Sequence, residues 1–141
     1  MKVKYTCITD ADFLISLIKE DDINHKNVLA IARRLVNEEA KVYFPVTAIL
    51  EAATALLRRY NLPNLASDLL MYYKKPDLLV IGVDKKNYLE CINCFDKDRS
   101  KQNTPFDAMI LALARNNKAE VVLSFDGFFK DKGFKTAKDL L

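Results

Sequence analysis

Four acidic residues, Asp10, Glu51, Asp107 and Asp126, stand where chemistry is done if the chain is read as strands and helices. Asp10 follows the apolar run KYTCIT and Asp126 follows EVVLS, so both come just after strand-like segments. Glu51 lies in the first turns of an amphipathic segment, and Asp107 lies in T-P-F-D at the start of another. Two carboxylates held about 4 Å apart repel by roughly 4 kcal/mol at an effective dielectric near 20. Protonation or a bound cation relieves that repulsion. A donor set made only of oxygen suits Mg²⁺ or Mn²⁺ rather than Zn²⁺. Such an ion polarises a phosphoryl oxygen and supplies a hydroxide nucleophile, so the chemistry that fits is phosphodiester hydrolysis.

Each acid also has an ordinary explanation. Asp10 can be a helix N-cap, Asp107 half of a capping box, Asp126 a turn residue before Gly127, and Glu51 a solvated position. Asp107 weighs most against that reading. Its segment is apolar nearly all round from Met109 to Ala114, where a charge is costly unless satisfied.

The positions of these acids follow from the elements around them. Residues 4–9 read as a buried strand and 10–20 as a mostly apolar helix, broken at Asp21-Asp22; 25–39 form a second helix. Residues 42–44 read as a strand stopped by Pro45, 46–60 as the clearest amphipathic helix, and 64–74 as another after Asn61-Leu62-Pro63. Residues 78–81 form a third strand and Asp84 caps a helix to about 97. After a polar loop from Asp98 to Asn103, Thr104 (N-cap), Pro105 and Asp107 open a helix to about 117. Residues 120–124 are a fourth strand and 134–136 a short fifth. Short apolar strands alternating with helices predict a three-layer α/β/α sandwich around a mainly parallel sheet of four to five strands. Every strand of such a sheet ends on one edge, and the following helices begin there. Asp10, Glu51, Asp107 and Asp126 all fall on that edge.

The whole chain of 141 residues, 50% hydrophobic and 29% charged, predicts one globular domain. The N-terminus lacks a signal-peptide core, no apolar run reaches membrane-spanning length, and the cysteines number three. The expectation is a cytoplasmic protein in a reducing compartment, without membrane attachment. A net charge of +3 permits an anionic partner without demanding one. Basic pairs such as Arg33-Arg34 and Arg58-Arg59 read singly as solvated helix faces.

The segments T-D-A-D-F-L, V-T-A-I-L-E-A, T-P-F-D-A-M-I-L-A-L-A and S-F-D, in this order and spacing, resemble the PIN-domain nucleases, most of all the VapC-type toxins of toxin–antitoxin pairs. The likeness covers essentially the whole chain. It implies a sheet of order 3-2-1-4-5 and Mg²⁺- or Mn²⁺-dependent endoribonuclease activity. The family's acids map to Asp10 and Asp107 as main metal ligands, and to Glu51 and Asp126 as ligands through water or aids to the attacking water. Ser124 matches the small hydroxyl residue before the last acid and, with Arg99 and Lys101, is a candidate for substrate contact. Asp12 departs from the family, where Ser or Asn is more usual, and brings an extra acid near the metals. The resemblance further implies an RNA substrate, with tRNA as the family analogy, a cognate antitoxin gripped by segment 46–74, and a homodimer.

Two other readings compete: a PIN scaffold that binds RNA or protein without cutting, and a flap- or exonuclease-like enzyme acting on DNA. The small size and the lack of accessory DNA-binding elements weigh against the latter. Cys91-Ile92-Asn93-Cys94 lies inside a helix rather than opening one, so packing fits it better than redox or zinc chemistry. His25, the only histidine, opens a helix and reads as a surface or capping residue. Asp84 follows a strand expected at the sheet edge and reads as an N-cap.

Overall fold

The computed structural model describes residues 4–98 and 103–141. Strand β1 (Thr6–Thr9) leads into α1 (Ala11–Ile18) and α2 (His25–Asn37). Strand β2 (Lys41–Pro45) leads into α3 (Val46–Arg58) and α4 (Pro63–Tyr72), and β3 (Leu79–Ile81) into α5 (Lys85–Cys94) and α6 (Pro105–Asn116). Then come β4 (Val121–Leu123), the short helix α7 (Phe128–Asp131), β5 (Lys135–Thr136) and a 3₁₀ turn, Ala137–Leu140.

The five strands pair in the order β3-β2-β1-β4-β5, and all four pairings are parallel. The expected order therefore stands, with β1 at the centre and β3 at one edge. Strand alternation separates two apolar layers. Ile8 and Val122 face the layer containing α3, α4 and α6. Cys7, Val121 and Leu123 face α2 and the 3₁₀ turn. Helix α1 contributes to both, through Leu14 and Ile15 on one side and Phe13 on the other. Helix α6 is buried from Ala108 to Ala114, as its sequence required.

Several helices stop short of the sequence reading. Glu39, Asn61 and Lys118 adopt φ of 52°, 53° and 54°, just beyond α2, α3 and α6. A left-handed residue there ends a helix. The second helix, expected through residue 39, accordingly ends at Asn37. Helix α5 ends at Cys94 rather than near 97, because the Asp96 carboxylate accepts from the Asp98 amide at 3.0 Å and turns the chain locally. The cysteine pair thus occupies the last turn of α5, not its interior. Pro45, expected to stop β2, is its last residue and pairs with Ile81. Helix α7 and the 3₁₀ turn are too short to show a periodic signal. Among the described residues, no helix is long and apolar enough to cross a membrane.

Candidate metal centre

The site begins where β1 and β4 leave the sheet together. Register places Thr9 opposite Leu123, and the Asp10 amide donates to the Leu123 carbonyl at 3.1 Å. Asp10 caps α1, its Oδ1 accepting from the Ala11 amide at 2.8 Å. Its Oδ2 accepts from the Ser124 hydroxyl at 3.0 Å. The same hydroxyl lies 3.2 Å from Oδ2 of Asp12 and accepts from the Asp126 amide at 3.1 Å. Ser124 has a single hydroxyl proton, which two carboxylates share.

The other acids arrive from separate elements. Asp107 closes the capping box of α6, its Oδ2 accepting from the Thr104 amide at 2.9 Å. Asp126 forms the turn before α7, its Oδ1 accepting from the Phe128 amide at 2.9 Å. Glu51 comes from α3, which starts at the carboxyl end of β2. Capping and clustering thus hold together, because an acid can cap with one oxygen and face the cleft with the rest of its carboxylate. Asp10, Asp12, Glu51, Asp107 and Asp126 line one cleft of about 220 Å³, with Ile15, Arg59 and Thr104 among its other walls.

Burial is the main force on Asp10, Asp12, Glu51 and Asp107. It holds Asp10 well above the usual carboxylate range, with Asp12 the strongest adverse charge and Asp107 and Glu51 adding to it. It raises Asp12 to about 6, against the Phe125 and Ser124 hydrogen bonds that favour its anion. Glu51 rises to about 7 through burial, then Asp107 and Asp12, with Arg59 opposing. Burial also raises Asp107, against the bond from the Thr104 amide. Acids so placed resist ionising together unless a cation joins them.

The residues fit a hard divalent cation. The donors are all oxygens, and Oδ1 of Asp12 is buried with no hydrogen-bond partner among the described residues. Among those residues, no group of three His, Cys, Asp or Glu side chains is already arranged to hold an ion directly. Mg²⁺ suits that arrangement, since it retains several waters and takes one or two carboxylates rather than a full protein cage.

The four acids named from sequence come together, joined by the fifth, Asp12. Ser124 is fully buried, so direct substrate contact does not fit; its hydroxyl orients acids instead. Arg99 and Lys101 lie outside the described residues. Asp84 stands apart at the edge strand as an N-cap, His25 Nδ1 meets the Ser16 carbonyl at 2.7 Å, and Cys91 packs against α6 through the Pro105 carbonyl. Arg59 is the residue that sequence reading passed over. Glu51, Ala55 and Arg59 recur at i, i+4 and i+8 and all line the cleft, a spacing that was there to be read.

A fold of this topology with acids at this edge defines a nuclease-like class, and the family follows directly: the PIN domain model matches residues 7–135, and the chain belongs to that family. Its fold is that of the VapC toxins. The VapC20 toxin of Mycobacterium tuberculosis, described as cleaving the sarcin–ricin loop, superposes with a TM-score of 0.76 at 20% identity, covering 91% of this chain and 95% of that one. The DNA-bound VapBC complex of Salmonella typhimurium gives 0.65 at 15% identity, over 94% and 96%. The VapBC2 complex of Rickettsia felis, bound to a promoter DNA fragment, gives 0.64 at 12%, over 93% and 96%. Among curated proteins, no significant sequence match is found.

Proposed function

We propose that this protein is a Mg²⁺- or Mn²⁺-dependent endoribonuclease, the toxin of a toxin–antitoxin pair acting in the cytoplasm. The observation that carries this reading is the meeting of Asp10, Glu51, Asp107 and Asp126, from four separate parts of the chain, in one cleft. Asp10 and Asp107 would hold the ion, and Glu51 and Asp126 would bind it through water or aid the attacking water. When bound, the ion supplies charge neutralisation at the phosphoryl oxygens and a nucleophile at neutral pH. Ser124 holds Asp10 and Asp12 in place through its shared proton.

The substrate path runs along α3. A groove of about 560 Å³ adjoins the acid cleft and shares Glu51 and Arg59 with it. Arg58 and the half-exposed Phe106 also line it, offering a charge for a phosphate and a ring for a base. This favours single-stranded or loop RNA, in which bases are free to stack. The antitoxin is gripped by the α3–α4 arm, where Leu57, Leu70, Met71 and Tyr72 remain exposed. Two copies pair as a homodimer, which sedimentation at micromolar concentration checks.

The decisive experiment incubates the wild-type chain and Asp107→Ala with an RNA pool, in Mg²⁺ and in chelator. Cleavage is expected only for the wild type with metal. Undiminished cleavage by Asp107→Ala would sink the assignment. RNA binding without cleavage by the wild type would instead favour a non-catalytic PIN module.

A further inference from the structure

The Asp12 carboxylate is anchored on one side only. Its Oδ2 accepts from the Phe125 amide at 2.9 Å and lies 3.2 Å from the Ser124 hydroxyl. These contacts span more than a hundred residues of sequence and fix the side chain at the exit of β4. Its Oδ1 is closed to solvent and meets no donor in hydrogen-bond geometry among the described residues, although the Phe13 amide also favours the Asp12 anion, and the residue lines the acid cleft. A buried carboxylate oxygen without a partner costs on the order of 1–3 kcal/mol or more. A proton on Oδ1 removes the charge but not the need for a partner, since an O–H also has to be satisfied. A cation meets both needs. The two contacts at Oδ2 and the unpartnered Oδ1 therefore divide the side chain into a structural half and a half free to ligate.

From this geometry we infer that Asp12 is itself a cation ligand of the cleft, through Oδ1, in addition to Asp10, Glu51, Asp107 and Asp126. The inference rests on the metal-centre reading above and extends it to a residue beyond the four acids. Because Oδ2 bonds the Phe125 amide, a cation drawing electron density from Oδ1 weakens that acceptor. The Phe125 amide thus reports on the ion without any turnover.

Two measurements test the assignment. The first is Mn²⁺ calorimetry on the wild type and Asp12→Asn. Asparagine keeps a carbonyl oxygen for Phe125 and Ser124 while losing the anionic oxygen, so the metal-free melting temperature should not fall. Affinity for Mn²⁺ is expected to fall about tenfold or more. The second uses the wild-type chain alone and so does not depend on how the variant folds. In a Mg²⁺ titration followed by amide NMR, the Phe125 resonance should move, while that of Asn87, bonded to the Asp84 carboxylate at 2.8 Å, should stay. Equal Mn²⁺ affinity in the two proteins overturns the Asp12 assignment and leaves the four-acid centre standing. A Phe125 resonance that stays still while amides beside Asp10 and Asp107 shift does the same. A wild type that binds no Mn²⁺ at all overturns both.

Discussion

Asp10 and Asp84 occupy the same local position, and their fates differ. Each follows a strand, and each caps the helix that comes next. Asp84 does only that. It exchanges bonds with Asn87, its carboxylate accepting from the Asn87 amide at 2.8 Å and its own amide donating to the Asn87 side chain at 3.0 Å. It lies exposed after the edge strand β3. Asp10 follows the central strand β1, is only 6% exposed, and shares its cleft with four other acids. The cap is written in a few neighbouring residues. The chemistry comes from strand order, which sets whether a capping aspartate meets solvent or other carboxylates.

Ways to break this comparison run from large effects to small. Asp10→Asn keeps the cap and removes a charge, so RNA cleavage should fall by about 10²-fold or more. Asp84→Asn should leave the initial rate within about twofold, since its contribution is a cap and not catalysis. Equal losses in the two variants, measured on one labelled RNA in Mg²⁺, would dissolve the distinction. Ser124→Ala keeps all five acids but removes the hydroxyl that orients Asp10 and Asp12. Its cleavage rate should drop about tenfold, with Mn²⁺ affinity falling alongside.

The acid cleft around Asp10 also predicts a response to pH. Folded Asp12 and Glu51 titrate near 6 and 7, above the values near 4 of an unfolded chain. The native state therefore binds more protons across that window, and metal-free stability falls as pH rises from about 4 to about 7. Thermal melts in chelator should show a higher melting temperature at pH 5 than at pH 8. Mg²⁺ should recover the difference at pH 8, since it replaces the lost protons. A melting curve independent of pH in chelator would count against a crowded carboxylate cleft. The smallest expected effect is at the edge: Asp84→Ala should cost about 1 kcal/mol, lowering the melting temperature by a few degrees with or without metal.

What the sequence disclosed follows the same division. The T-P-F-D segment predicted the Asp107 capping box, and the alternation of apolar runs predicted a sheet whose carboxyl edge gathers the acids. Both depend on local pattern and on the general geometry of parallel sheets. The partners of Asp12 were not legible, because Ser124 and Phe125 are more than a hundred residues away and no spacing rule links them. Ser124 was assigned a substrate role because a hydroxyl beside an acid is equally suited to either task. Burial alone separates them. Arg59 was legible and overlooked: as one of a basic pair it looked like a solvated face, yet two helical turns from Glu51 place it on the same wall. The end of α5 was missed for a local reason, the turn that Asp96 makes with Asp98.

The bond between Ser124 and Asp10 joins positions 114 residues apart. On a ribosome, Asp10, Glu51 and Asp107 all emerge before β4 does, and until β4 pairs with β1 the cleft has no second wall and Asp10 has no hydroxyl to hold it. Contacts of such long sequence separation form late in folding. A partly synthesised chain therefore carries most of the acids and none of the assembled centre. Assembly of the centre is thus tied to the strand that completes the middle of the sheet.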